Sequence, residues 1–257
     1  MTDSIRDERL HDIWLATVAK LKEVVREFHI TQDELHAAGD YFNRLGQAGM
    51  SRSLIDVALA MTSVDVTSPT IGGTRSNLEG PYHAEHPRRP DGRMVDRALP
   101  PDAPTLTLEG LVTDASTGAP LAGVDLDFWQ ADEDGIYDVK GDHLRGVVQS
   151  GPDGGYRIET VVPSDYSEHD HDPIGELFRA MGKPNTRAAH IHLKASLHGR
   201  LLLTTQFFMP TSSFLDRDYV EGAVSPDLIV DLIPTGERDH YAARFDVKLA
   251  TAPKAAA

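Results

Sequence analysis

Along the first seventy residues the apolar positions recur every three or four places. Leu10, Ile13, Trp14, Val18, Leu21, Val24, Val25 and Phe28 form such a stripe within residues 5–28 and predict an amphipathic helix with one face to bury. Thr31-Gln32-Asp33-Glu34 reads as a capping box, in which a hydroxyl and a carboxylate satisfy each other's orphan amides at the start of a second helix. That helix should end near Gly46 or Gly49. A third run, about residues 51–63, carries Leu54, Ile55, Ala58, Leu59 and Met61. Residues 1–66 are thus expected to form a helical segment that packs or dimerises and carries no chemistry.

Around Thr67 the composition turns to Thr, Ser, Pro and Gly, and the chain passes through Leu78-Glu79-Gly80-Pro81-Tyr82-His83. Proline and glycine interrupt regular structure, so residues 67–104 should be a connector laid over the surface of the next domain. From Thr105 the period becomes two. Leu106, Leu108, Gly110 and Val112 share one strand face, and Val124, Leu126 and Phe128 share another. Strong turns follow at Asp114-Ala115-Ser116-Thr117-Gly118, Asp134-Gly135 and Pro152-Asp153-Gly154-Gly155. Further strands are expected from Tyr156, over residues 201–208, and through Ala243, Phe245, Val247 and Leu249. One helix is expected over residues 174–181. The fold class is therefore mainly β: a β-sandwich core over residues 105–250, with the helical segment before it and a disordered tail over residues 251–257.

Charge and composition narrow the chemistry. The net charge is −15 with no dense basic patch, so a phosphate backbone would be repelled and nucleic acid is not an expected partner. No apolar run reaches the roughly 18–20 residues that a membrane span needs. Residues 1–9 mix charges without an apolar stretch, so no export signal is expected there and a cytoplasmic location follows. The chain has no cysteine, so any metal must be held by His, Asp, Glu or Tyr.

The candidate chemistry centres on Arg187-Ala188-Ala189-His190-Ile191-His192-Leu193. In a strand His190 and His192 point the same way, with Cα atoms roughly 6.5–7 Å apart, close enough to converge on one ion. Two histidines on a solvated strand face would look the same. Tyr137 follows the Asp134-Gly135 turn, and Tyr166 sits just past a strand end. Taken singly, each reads as an amphipathic residue with its hydroxyl at the surface. Together with the histidines they would suit a trivalent iron, which favours phenolate oxygen and imidazole nitrogen. A second pair, His169-Asp170-His171, lies among acids and reads as a solvated loop that could bind zinc adventitiously. A cupin-type oxygenase would need a glutamate a few residues after His192, where Ser196, Leu197 and His198 stand instead.

Five motifs in order then carry a resemblance. They are Leu78-Glu79-Gly80-Pro81-Tyr82; residues 118–124 leading to Phe128-Trp129-Gln130-Ala131 and Asp134-Gly135-Ile136-Tyr137; Asp153-Gly154-Gly155-Tyr156-Arg157 leading to Tyr166; residues 187–192; and Thr204-Thr205-Gln206. The chain resembles the intradiol ring-cleavage dioxygenases of the catechol and hydroxyquinol 1,2-dioxygenase branch, from about residue 8 to 250. That resemblance implies a non-haem ferric ion, Fe(III), held by Tyr137, Tyr166, His190 and His192. It implies insertion of both atoms of dioxygen into a catechol-type ring, giving a cis,cis-muconate or maleylacetate-type product in aromatic catabolism. It also implies a homodimer paired through the N-terminal helices, with room for bound lipid.

Within the same resemblance Tyr166 is the ligand that a catechol displaces, Arg187 stabilises charge on the ring, and Gln206 stands beside the reacting site. Leu78, Pro81, Arg187, Tyr219 and Val220 would contact the substrate. Tyr219 departs from the phenylalanine usual in catechol enzymes and from the smaller residue expected in hydroxyquinol enzymes, which leaves the preferred ring substituent open. The competing reading is a transthyretin-like sandwich module that binds without catalysis. Such a module needs none of Tyr137, Tyr166, Arg187, His190 and His192 together.

Overall fold

The computed structural model describes residues 7–68 and 72–251. The expectations for residues 1–6, for Pro69-Thr70-Ile71 and for the tail from residue 252 onward lie outside the described residues. Three helices come first: α1 (Glu8–Glu27), α2 (Gln32–Gln47) and α3 (Ser51–Thr67). After a long connector come β1 (Thr105–Asp114), β2 (Asp125–Gln130), β3 (Arg145–Gln149), β4 (Gly155–Val161) and β5 (Tyr166–Ser167). The rest is α4 (Pro173–Met181), β6 (Thr186–Arg187), β7 (His190–Leu197), β8 (Arg200–Phe208), β9 (Ile233–Pro234), β10 (His240–Arg244) and β11 (Val247–Leu249).

The chain divides into two compact units, Met1–Ser51 and Arg52–Ala257. In the first, Thr31 and Glu34 close the expected capping box: the Thr31 amide donates to the Glu34 carboxylate at 2.7 Å, and the Glu34 amide donates to the Thr31 hydroxyl at 3.3 Å. No residue of α1 is buried, and Leu10, Trp14, Leu21 and Phe28 of its apolar stripe are 58–69% exposed. The third helix runs four residues past its expected end at residue 63, and from Arg52 onward it belongs to the second unit. There Val57 and Met61 are buried, and the Val57 carbonyl accepts from the Glu221 amide at 3.2 Å.

The second unit is built on two main sheets and a two-stranded sheet of β5 and β6. In the first, β1 is central, antiparallel to β4 on one side and parallel to β10 and β11 on the other, with β9 beyond β10. The second runs β3-β2-β7-β8, all antiparallel. Aromatic pairs join them: Phe128 of β2 lies 5.7 Å from Tyr156 of β4, and Phe207 of β8 stacks on Phe245 at 4.6 Å. Leu106, Leu108, Val112, Leu126, Phe128, Ile158 and Leu193 are at most 1% exposed, which is the sandwich core the alternation predicted. Burying each such side chain contributes about 1.5–3 kcal/mol, and a one-residue slip would turn a whole strand's set outward, so the register is strongly held. Gly110 in β1 is required by close approach, because a Cβ there would meet the Phe245 carbonyl oxygen at 2.0 Å.

The final alternating run is two strands rather than one. Its halves pair parallel with successive parts of β1, and the Phe245 amide between them bonds the Glu109 carbonyl. The connector is pinned to both sheets by backbone bonds, Asn77 to Thr204 at 2.8 Å, Arg89 to Val147 at 2.8 Å and Met94 to Glu159 at 2.9 Å.

Candidate metal centre

The site stands on the face of the second sheet that points away from the sandwich core. In β7 the odd positions Ile191 and Leu193 fill the core, so His190 and His192 project to the opposite face. His192 pairs directly with Trp129 of β2 on one side and Gln206 of β8 on the other. The indole stacks on the His192 ring at 4.6 Å and 7°, fixing the ring plane. This face is not solvated: His190, His192, Trp129 and Gln206 are all at most 2% exposed.

The imidazoles converge. His190 Nδ1 donates to the Ala188 carbonyl at 2.6 Å, which leaves the lone pair on its Nε2. That nitrogen lies 3.1 Å from His192 Nε2, which in turn lies 3.0 Å from the Tyr137 hydroxyl. Metal–ligand bonds of about 2.0–2.1 Å would put neighbouring donor atoms about 3 Å apart, so these spacings suit ligands of one ion. His192 Nδ1 is buried without a hydrogen-bond partner. Tyr166 completes the cluster, with its ring 5.2 Å from that of Tyr137 and 5.6 Å from that of His190. Burial first, then the Arg187 charge, holds His190 well below the ordinary histidine range; burial, then His190 and Arg187, does the same to His192. Both are therefore neutral donors. Burial also raises both phenols, Tyr166 adding to the shift at Tyr137 and Arg187 opposing it at Tyr166. Two nitrogen and two oxygen donors in a dry setting fit a trivalent iron.

Local chain geometry delivers the two tyrosines. Gly135, at φ +78°, packs so closely on the Tyr166 segment that a Cβ would meet the Asp165 carbonyl oxygen at 2.5 Å. Asp165 then ties that segment to the histidine strand, accepting from the Ala189 amide at 2.8 Å and the Ser212 hydroxyl at 2.5 Å. Tyr166 pairs with Arg187 across β5 and β6.

In an unbroken strand Arg187 would face away from His190 and His192, but Ala188-Ala189 interrupts the strand between β6 and β7. The guanidinium, 3% exposed, donates from Nε to both Asp218 oxygens at 2.8 and 3.0 Å and from Nη2 to Gln206 Oε1 at 2.9 Å. Burial opposes its charge, but Asp218 and Tyr166 outweigh that and raise its pKa. The side chain of Gln206 continues the relay, donating to the Leu78 carbonyl at 2.8 Å. Val220 is buried and its amide caps Asp218 at 2.8 Å; Tyr219 lies 5.9 Å from the Arg187 guanidinium. Pro81 is exposed, between Gly80 and Tyr82.

Sequence reasoning missed several members. Tyr82 stacks on Tyr137 at 4.3 Å and 15°, though it closes the Leu78–Tyr82 motif. Trp129 had only its alternation, which gave it the face opposite Phe128 but not its burial there. Asp218, next to the Tyr219-Val220 pair, and Glu168, two residues past Tyr166, had no sequence signal. Glu168 accepts hydrogen bonds from the hydroxyls of both Tyr82 and Tyr219. The loop around His169 is less solvated than expected. His169 bonds Asp172 at 2.7 Å and packs on Phe178 and Tyr219, while His171 is exposed.

A second cluster, His83, His86 and Asp127, also brings possible ligand atoms within 4.8 Å of one another. Hydrogen bonding accounts for it. Asp127 bonds His83 Nε2 at 3.1 Å and His86 Nδ1 at 2.5 Å, and the Arg145 guanidinium lies 3.1 Å from His86 Nε2, where its positive charge opposes a cation. Arg145 also donates to the Tyr82 carbonyl at 2.5 Å and the Asp138 carbonyl at 2.8 Å, so the cluster anchors the chain beside Tyr82 and Tyr137.

Known proteins with this arrangement of sequence and fold are consistent among themselves. A family model described as Dioxygenase matches residues 78–251. The chain is 31% identical to a hydroxyquinol 1,2-dioxygenase from Rhizobium sp., over 88% of this chain and 80% of that protein. It is 29% identical to a chlorocatechol 1,2-dioxygenase from Pseudomonas sp., over 87% and 90%. The crystal structure of 3-chlorocatechol 1,2-dioxygenase from Rhodococcus opacus superposes with a TM-score of 0.83 at 27% identity, covering 95% of this chain and 99% of that one.

Proposed function

The chain belongs to the intradiol ring-cleavage dioxygenase family, and from that premise we propose that it is an iron-dependent enzyme opening a catechol-type ring between its two hydroxylated carbons. We assign the ferric ligands to Tyr137, Tyr166, His190 and His192. The observation that carries this is the approach of His190 Nε2, His192 Nε2 and the Tyr137 hydroxyl to within 3.1 and 3.0 Å in a buried setting, beside Tyr166.

When bound, the ferric ion supplies the Lewis acidity that holds a catechol as its dianion and prepares the ring for dioxygen. The residues do the rest. Tyr166, on a two-residue strand, would be the ligand that yields its place, its phenolate oxygen taking one of the two catechol protons while a solvent-derived hydroxide takes the other. Arg187, held by Asp218 and Gln206 before substrate arrives, meets negative charge developing on the ring with a fixed cation, and so needs no reorganisation. Gln206 ties that cation to the connector at Leu78. Leu78, Pro81, Tyr219 and Val220 are assigned to the substrate's surroundings. Trp129 and Tyr82, stacked on His192 and Tyr137, keep two of the donors oriented and shield them from water.

The same reading takes residues 1–66 as a pairing segment for a homodimer, with lipid as a further occupant of its apolar surface. What supports it is the exposed stripe of α1. No helix among the described residues is long and apolar enough to cross a membrane. A cytoplasmic location is a separate part of this proposal.

The decisive experiment is the visible absorption spectrum of the purified protein, with its iron content, before and after anaerobic addition of catechol. A tyrosinate-to-iron band that shifts with catechol is expected. A protein that stays colourless after iron is supplied would overturn the reading and favour a non-catalytic sandwich module.

A further inference from the structure

The Glu168 carboxylate is an acid placed among aromatic rings that carry the centre. One oxygen accepts from the Tyr82 hydroxyl and the other from the Tyr219 hydroxyl. Tyr82 lies flat on Tyr137 at 4.3 Å and edge-on to Tyr166 at 6.3 Å. Tyr219, 3% exposed, is wedged between Phe178 at 5.6 Å and His169 at 5.8 Å, with Arg187 at 5.9 Å. The acid therefore lies between the two tyrosines that border the ligand Tyr137 and the cation Arg187.

Its place is fixed by the backbone. The Glu168 amide donates to the Asn185 carbonyl at 2.9 Å, and the Asn185 side chain donates to the Glu168 carbonyl at 2.5 Å. The basic side chains nearby are committed elsewhere: His169 bonds Asp172 at 2.7 Å and Arg187 pairs with Asp218 at 2.8 Å. Each carboxylate oxygen can accept two hydrogen bonds, and each has received one from a tyrosine. Acceptor capacity and negative charge remain.

Resting on the reading of the site as an iron-dependent ring-opening centre, the geometry points to Glu168 as the residue that selects the ring substituent, favouring catechols with a further hydroxyl over halogenated or carboxylated ones. A third ring hydroxyl can donate a charge-assisted hydrogen bond to the carboxylate. Chlorine donates nothing and turns electron density toward a negative charge, and a ring carboxylate meets like charge directly. The tyrosines hold the acid in place while it waits for substrate, so little ordering is left to binding. The relatives, divided between hydroxyquinol and chlorocatechol enzymes, do not make this choice. Because the acid stays paired with two phenols when the third hydroxyl is missing, discrimination should fall below the roughly 10⁴–10⁵ of a site left wholly unpaired.

The test uses the iron-loaded full chain with catechol, hydroxyquinol, 4-chlorocatechol and 3,4-dihydroxybenzoate. Steady-state kcat and KM are measured for each, and anaerobic titration of the visible band gives each Kd without turnover. Wild type should prefer hydroxyquinol to 4-chlorocatechol in kcat/KM by about tenfold or more. Glu168→Gln, nearly isosteric, should collapse that ratio, chiefly through KM and Kd. A wild type that prefers 4-chlorocatechol overturns the inference without any variant. So does a Glu168→Gln enzyme that loses all four substrates in equal proportion, the mark of a purely structural acid. A wild type that carries iron but cleaves no catechol overturns the enzymatic reading itself, and this inference with it.

Discussion

Arg187 and Asp218 form a buried ion pair, 2.8 Å from Nε to Oδ1, with both side chains at most 4% exposed. Asp218 also accepts from the backbone amides of Ala188 and Val220, at 2.9 and 2.8 Å, so one carboxylate fixes the cation and both chain segments around it. Asp218→Ala would strand a buried guanidinium and leave two amides unpaired. It is expected to destabilise the protein by about 3–5 kcal/mol, read as a lower urea midpoint. Asp218→Asn, which can still accept, should cost less.

Arg187→Lys keeps a positive charge but loses the planar fork that reaches Asp218 and Gln206 together. The variant should retain iron and the visible band while kcat falls by about 10²-fold, the scale of losing one fixed stabilising donor. Unchanged turnover would remove Arg187 from the mechanism.

Tyr137→Phe and His192→Ala each delete one donor from a cluster whose atoms lie about 3 Å apart. Both should purify colourless and without stoichiometric iron by metal analysis. A variant that kept full iron and activity would sink the ligand assignment.

Gly80 stands at φ +73°, and a Cβ there would meet His192 Cε1 at 3.3 Å. Gly80→Ala should therefore cost about 1–2 kcal/mol in backbone strain and press on the histidine ring. Faster loss of iron to a chelator, at near-normal secondary structure by circular dichroism, is the expected result.

Asp114 plugs the turn after β1. It accepts from the Ser116 hydroxyl at 2.5 Å, the Thr117 amide at 2.9 Å and the Thr251 hydroxyl. These bonds, that from the Ser116 hydroxyl foremost, hold its pKa below the ordinary carboxylate value. A lowered folded-state pKa gives stability that is fully present above the unfolded value of about 4 and lost as the pH falls through the folded one. Asp114→Asn should therefore lower Tm at pH 7, and the gap from wild type should narrow below about pH 4. A gap independent of pH would show that the charged form is not what the turn stabilises.

Much of this architecture is legible in spacing alone. The capping box at Thr31, the buried alternation of Leu106, Leu108 and Val112, and the shared face of His190 and His192 arise from local periods, which the backbone imposes whatever lies beyond it. Other features had no local trace. Nothing within a few residues of Trp129 tells which of its faces will be covered, because the cover comes from β7 and its imidazole. The final strand broke in two at Phe245 because β1 takes its two halves at different points along its length.

What the sequence by itself determined is the two-layer β core, the helices before it, the absence of thiolate ligands and four candidate donors whose order resembles one enzyme family. Only the tertiary structure decided that Arg187 shares a site with the histidines despite its strand parity, that Asp218 is its counter-charge, and that Glu168 is clasped by Tyr82 and Tyr219. The reason is physical. Periodicity is a property of neighbours along the chain, whereas a buried charge takes whichever partner the packing of distant segments presents, here 31 residues away for Arg187 and 86 and 51 away for Glu168.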